Sequence, residues 1–419
     1  MLFHSRSVAR VCIVAALLAV GQFSAAAPGN EPRSTTLAVD YLLRSQAPSG
    51  FLLYGFDFLQ DSALEPGAMS AVQLTRQAGA AAVLADYYSL TRDPRAALAV
   101  TRLLGALEAH TLPISQNRLQ GLVAWAGLLR VPVGRYRMAS ALNRYGLLFE
   151  PEGPGKLLSP DSKYANAYAG AAALALLAEL RYVQASGDDR FASLRRALLE
   201  GLLALRIPGD GFRMNPTSID TNAYFDAEAW TALAAYRRAF PDEARVEEIL
   251  REVDAALMRK YGAEFRLPFF HWGTMAAALR YPDRREREFL EFIRAQTTEF
   301  LNQVERHPDN DNNCAAVEGV IDAIGALRDA GEPGGPLTLR AMRWARAEMS
   351  KAWRMQIEPG QTELVFANAR IIAPRMQEFA GSFRSGLYGA DTLVDYTGHC
   401  LSAMVKSKRQ HIDLGVDSP

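Results

Sequence analysis

The chain has 419 residues, 46 Lys and Arg against 46 Asp and Glu, and 49% hydrophobic residues. A neutral chain this apolar buries a large core, which excludes intrinsic disorder. The balanced charge, with no basic stripe, excludes a dedicated nucleic-acid binder.

Met1 to Arg10 carries Arg6 and Arg10 and no acid, and Val11 to Val20 is an unbroken apolar run. That run is a signal-peptide core, too short to span a bilayer. Ser24, Ala25 and Ala26 supply the small residues of a cleavage site, so cleavage is expected near Ala26. Residues 1–26 are then a signal peptide and 27–419 a single helical domain, periplasmic or secreted. Cys12 leaves with the signal. No later stretch is long and apolar enough to span, so no stable membrane insertion is expected. Cys314 and Cys400 remain. They read first as two buried free thiols, with a disulfide as the alternative because both segments are assigned below to one inner wall.

The body of the chain reads as paired helices. Ala-rich segments nearly free of charge run over Arg76 to Leu90, Leu119 to Leu129, Ala165 to Val183, Tyr224 to Ala239, Trp272 to Arg280, Ala315 to Asp329 and Tyr396 to Val405. A helix apolar all round is buried on all sides, which makes these the inner helices of a two-layer assembly. Charged amphipathic stretches lie between them, at Arg190 to Leu205, Glu243 to Tyr261, Arg285 to Gln303 and Leu337 to Met355, and form the outer layer. Strand signals are almost absent.

Gln77, Gln120, Ala171, Glu228, Thr274, Glu318 and His399 are rough equivalents in successive inner segments, mostly 43 to 57 residues apart. That period is a helical-hairpin repeat, and six or seven hairpins suffice to close a ring. The predicted fold is all-α, an (α/α)6-type toroid. The opening Gly50 to Phe56, Arg76-Gln77-Ala78-Gly79-Ala80, Gly187-Asp188-Asp189-Arg190-Phe191, and Arg384 to His399 ending in Asp-Tyr-Thr-Gly-His resemble the (α/α)6-toroid proteins of glycan processing. That superfamily includes glycoside hydrolases, polysaccharide lyases and sugar epimerases, so the resemblance implies a glycan as substrate or ligand. The chain departs from it at one place: related toroids often read Tyr-x-Gly-Glu-Ala at the third inner helix, where this chain has Tyr168-Ala-Gly-Ala171-Ala172.

In such a ring the N-terminal ends of the inner helices line one mouth, which singles out the polar residues just ahead of each Ala-rich run. Asp226 reads as a helix cap or as a catalytic base. Glu228 and Glu318 are charges inside otherwise apolar runs, where an unpaired carboxylate is costly. Each is therefore a candidate acid, or, for Glu318, a buried partner of an Arg such as Arg76. His271 beside Trp272 pairs a proton carrier with a ring that stacks on sugars, or else plugs the core. Asp395 stands four residues before His399, on one helical face, where it would orient the imidazole. Tyr54, Asp57, Arg76, Arg384 and Tyr396 complete the candidate substrate-binding set. The Asp309 to Asn313 run lacks calcium-loop spacing and reads as a capping turn. No motif with metal-ligand spacing is present, and no cofactor is expected.

Three activities fit these residues. The first is hydrolysis by a carboxylate pair, and the second is proton abstraction from a uronic acid by His271, His399 or Tyr396 with Arg76 or Arg384 neutralising the sugar. The third is a non-catalytic role in glycan binding or envelope polysaccharide assembly.

Overall fold

The computed structural model describes residues 33–64, 69–114, 154–218, 220–284, 286–366 and 368–415. The expectations for Met1 to Ala26, and for Leu119 to Leu129 with Gln120, lie outside them. Among the described residues twelve α-helices alternate between two layers. The inner layer is α2 (Ala71–Thr91), α4 (Ala169–Ser186), α6 (Ala223–Ala239), α8 (Leu267–Arg284), α10 (Cys314–Asp329) and α12 (Val394–Arg409). The outer layer is α1 (Arg33–Arg44), α3 (Pro94–Ala109), α5 (Ala192–Ala204), α7 (Ala244–Ala263), α9 (Arg287–Arg306) and α11 (Pro336–Trp353). Each inner helix packs on the next, α2 on α4, α4 on α6 and so on, and α12 returns to α2. The result is a closed (α/α)6 toroid.

Side-chain size decides which helices go inside. In α4 every residue from Ala169 to Leu180 is buried, as an all-round apolar helix requires. Small residues let the axes converge: a Cβ at Gly319 of α10 would stand 3.1 Å from the His271 backbone of α8. Outer helices bury only a stripe, as in α9 with Phe289, Phe292, Ile293 and Phe300. Local signals set the ends. Ser70 and Gln73 form a capping box at the start of α2. Asp93 caps α3 with Pro94 in its first turn. Gly187 ends α4 at φ 72°. The Asp188-Asp189 pair then binds the Arg190 amide, the Tyr182 hydroxyl and the Arg195 guanidinium. That motif is a helix stop.

The strands are short. β1 (Gly55–Asp57) lies between β2 (Ser62–Ala63) and β7 (Asp391–Leu393) in one antiparallel sheet. β3 (Thr111–Ile114) pairs with β4 (Gly155–Leu158), and β5 (Glu363–Val365) with β6 (Arg370–Ile372). The β1–β7 pairing sets Gly55 opposite Leu393 and Phe56 opposite Thr392, joining the start of the ring to its last helix. A Cβ at Gly55 would meet the Thr392 carbonyl at 2.5 Å, so the seam closes only on glycine.

Cys314 and Cys400 are disulfide-bonded, which corrects the first reading of two free thiols. Cys314 opens α10 and Cys400 lies in the second turn of the neighbouring inner helix α12, and packing α10 on α12 brings their Cα atoms to 4.8 Å, within bridging range. The bridge closes a loop spanning 86 residues, and restricting the unfolded chain over that length is worth about 4–5 kcal/mol in the chain-entropy account. Cys314→Ala, or reduction of the native chain, is expected to lower the thermal midpoint by an equivalent of about 2–5 kcal/mol. Scanning calorimetry with and without reductant checks this; equal midpoints would show that the bridge adds no stability.

Candidate functional site

All six inner helices contribute to one cavity of about 260 Å³. At roughly 30 Å³ per water this is room for about nine waters, close to the heavy-atom count of a single sugar ring. Tyr168, Tyr224, Phe225 and Trp272 give it aromatic walls, and Arg76, Glu228, Glu318, Asp395, His399 and Ser402 supply its polar groups. Most of these stand in the N-terminal halves of their helices, as the sequence implied.

Glu318 is the most heavily partnered group. Its Oε1 lies 2.7 Å from His399 Nδ1 and 3.7 Å from His271 Nε2. Its Oε2 accepts the Ser402 hydroxyl and stands 3.6 Å from Lys406 Nζ. Lys406 is held in turn by Asp322 at 2.6 Å. Burial acts to raise the Glu318 pKa, yet the hydrogen bond with His399 and the Lys406 ammonium beside it hold it well below the usual carboxylate range. Burial also lowers His271, to about 4 against the pull of Glu318, so this ring is neutral near pH 7. His399 meets the same opposition from burial, but its hydrogen bond to Glu318 prevails and raises it. The two rings face each other edge-on at 5.2 Å.

Glu228 is the opposite case. Its Oε2 is buried without a hydrogen-bond partner, and burial pushes its pKa well above the usual range. The carboxyl leans on Gly170, where an added Cβ would stand 2.0 Å from Oε2. Gly170 adjoins Ala171, the position where the sequence departs from the pattern it otherwise resembles. Here the acid next to that turn of α4 comes from α6 instead.

The remaining candidates separate. Arg76 joins Asp395 at 2.8 Å and donates to the Tyr54 hydroxyl, forming one cavity wall. Asp395 therefore does not orient His399, and Glu318 is not the partner of Arg76; both expectations are corrected by the seam, which sets α12 beside α2. Trp272 lines the cavity with its Nε1 buried and unpartnered. His271 turns from the cavity lining toward Glu318. Asp226 accepts from the Phe212 amide at 2.6 Å, the Tyr261 hydroxyl at 2.6 Å and Lys260 at 3.2 Å, tying α6 to α7 instead of lining the cavity. Arg384 donates to the carbonyls of Leu387 and Gly389, and Asp57 accepts from the amides of Leu59 and Gln60. Both organise loops. Tyr396 is half-buried and outside the cavity lining. Tyr168, Tyr224, Ser402 and Lys406 were not singled out as site residues. Ser402 and Lys406 follow His399 by three and seven residues, a spacing that puts all three on one helical face.

No protein-family model and no curated protein sequence matches the chain. Solved structures do match. An unsaturated glucuronyl hydrolase specific for heparin superposes with a TM-score of 0.56 at 12% identity, over 91% of this chain and 98% of that one. A GH76 α-mannanase of Bacteroides thetaiotaomicron gives 0.56 at 9% identity over 91% and 96%. The GH76A α-1,6-mannanase of Salegentibacter sp. HEL1_6 gives 0.54 at 12% identity over 90% and 99%. At these identities the likeness is one of fold, and it spans nearly the whole of each chain.

The isolation of Glu228 has a consequence for stability. Its folded pKa is raised above the unfolded value of about 4.3, so its proton contributes stability that is full below that value and is lost as pH rises through the folded pKa. Glu228→Gln removes the titrating carboxyl, and its thermal midpoint is expected to gain on that of the native chain as pH rises above the ordinary carboxylate range. Parallel melts from pH 4 to 9 test this; a difference independent of pH would mean that Glu228 is not buried in its neutral form.

Proposed function

We propose that this protein is an exported glycan-processing enzyme that takes one sugar residue into the cavity and cleaves its glycosidic bond. The observation that carries this reading is the unequal carboxylate pair: Glu228 protonated, Glu318 ionised, on the walls of one cavity. Two carboxylates driven apart by their surroundings are an acid and its counterpart. Glu228 gives its proton to the departing glycosidic oxygen. Glu318 opposes the positive charge that develops at the anomeric carbon and takes a proton from the water that attacks there, so that hydroxyl ends on the sugar, the leaving group keeps the Glu228 proton, and solvent returns the proton from Glu318 to Glu228. The indole of Trp272 and the rings of Tyr168, Tyr224 and Phe225 offer stacking faces for a pyranose. The toroid shared with a glucuronyl hydrolase and two mannanases supports a glycan substrate, and the disulfide supports an oxidising compartment.

The sugar is neutral on this reading. A uronate needs an uncommitted cation, and among the described residues the candidates are occupied, Arg76 by Asp395, Arg181 by Asp86, and Arg384 by carbonyl oxygens. One observation favours a second reaction. His271, neutral, faces His399, whose pKa is raised, at 5.2 Å. Of the two, His399 lines the cavity and can exchange a proton with a sugar carbon there, while His271 behind it can take up or return that proton, which is the proton traffic of epimerisation.

Incubation with a panel of neutral and uronic-acid glycans separates these outcomes. New reducing ends indicate hydrolysis, ultraviolet absorbance of unsaturated uronates a lyase, and solvent deuterium on carbon without cleavage an epimerase. Silence on all three with glycan binding retained returns the protein to a binding or assembly role. For hydrolysis, Glu228→Gln is expected to lower kcat by about 10²–10⁴-fold. The pH profile of kcat/KM should fall on its alkaline side as Glu228 loses its proton, and on its acid side only below the ordinary carboxylate range, where Glu318 gains one. Gly170→Ala, which drives a methyl into the Glu228 carboxyl and the Phe225 ring, is expected to cut turnover and to cost about 1–3 kcal/mol of stability through overpacking; unchanged turnover in the folded variant would count against Glu228 as the acid.

A further inference from the structure

Three consecutive inner helices each send one potential ligand to the same point beneath the cavity: His271 from α8, Glu318 from α10 and His399 from α12. One ligand atom from each lies within 4.8 Å of the others. Glu318 Oε1 is the shared vertex, 2.7 Å from His399 Nδ1 and 3.7 Å from His271 Nε2. Two imidazoles and a carboxylate are the donor set of a catalytic zinc site, which keeps a further position open.

A second observation concerns His271 alone. It is 5% exposed, and both ring nitrogens are buried without a hydrogen-bond partner. Leaving a buried polar group unpaired costs about 1–3 kcal/mol, so a core packed for apolar contact alone would not select imidazole here. A cation that takes the Nε2 lone pair removes the share of the penalty that belongs to that nitrogen.

We propose that His271, Glu318 and His399 bind one divalent transition metal of the zinc type, with its open position toward the cavity. Glu318 is divided in a way that suits this. Ser402 and Lys406 occupy Oε2, leaving Oε1 to the imidazole side. The Ser402 hydroxyl and the Lys406–Asp322 pair then orient the ligating carboxylate from behind. Two of the three ligands are also fixed against each other covalently. Cys314 precedes Glu318 by one helical turn, Cys400 follows His399 directly, and the two sulfurs are bonded. Bonds of about 2.0–2.2 Å set the ligand atoms of one tetrahedral metal roughly 3.4 Å apart, so the 2.7 Å hydrogen bond between Glu318 Oε1 and His399 Nδ1 must open by about 0.7 Å while the widest pair, now within 4.8 Å, closes by about an ångström. The proposal rests on the function above only for what meets the open position, a water or a sugar hydroxyl. With metal bound, the water that attacks from this side of the cavity would be activated by the metal, and Glu228 keeps its role.

The test uses the full chain, stripped with a chelator and titrated with zinc sulfate by calorimetry, then with cobalt(II) followed by visible absorption. The expected result is one zinc per chain and the intense cobalt bands of a four-coordinate site. Changes behind a metal ligand typically cost 10–100-fold in affinity, so His271→Ala and His399→Ala should each weaken binding by more than roughly a hundredfold. No stoichiometric binding, or one equivalent that survives both substitutions, overturns the proposal. Circular dichroism verifies folding, and Glu318→Gln replaces any variant that does not fold. Zinc stoichiometry is read without glycan, so its failure leaves the acid–carboxylate reading standing, and silence on glycans leaves the metal site standing.

Discussion

A carboxyl group placed where six helices converge must be compensated or stay protonated, and the two glutamates of this cavity take opposite courses. Glu318 draws a hydroxyl, an ammonium and an imidazole from α12 and remains charged. Glu228, against the bare backbone of Gly170, draws nothing and keeps its proton. The difference between them is not intrinsic to glutamate. It comes from what the neighbouring helix presents, glycine and alanine on α4 against His399, Ser402 and Lys406 on α12. The same ring that makes charge expensive at its centre therefore makes two chemically different groups out of one residue type.

The disulfide belongs to this arrangement as much as to stability. Its two cysteines stand one turn and one residue from the groups that share a hydrogen bond, Glu318 and His399. A covalent link at that place limits how far α10 and α12 can slide, and a hydrogen bond at the floor of a cavity tolerates little sliding. In a reducing environment the ring would rely on packing alone to hold that contact.

The two-layer alternation was legible because burial on all sides leaves a compositional mark: α4 is nearly chargeless, whereas α7 and α9 each carry a charged face. Glu228 and Glu318 were legible for the converse reason, as charges where the pattern forbids them. Pairings across the ring were not. Asp395 and His399 share a face, so local spacing joined them; the ring set α2 beside α12 and gave Asp395 to Arg76, leaving His399 to Glu318. Asp226, Asp57 and Arg384 looked like mouth residues because polar groups before a helix serve caps and loops as readily as sites. Cys314 and Cys400 could be paired only once α10 and α12 were known to be neighbours.

The seam has a consequence for how the molecule comes into being. The wall made by Arg76 and Asp395, and the strand pairing of Gly55 with Leu393, join the first inner helix to the last. A ribosome releases the N-terminal part of that wall long before its partner exists, and contacts this distant in sequence are slow to form. Until the final helix arrives, the inner face of α2 stays open to solvent on one side, apolar and unpaired. Truncation even a few turns from the C-terminus would therefore leave an open arc in place of a slightly smaller ring, with the cavity lost altogether.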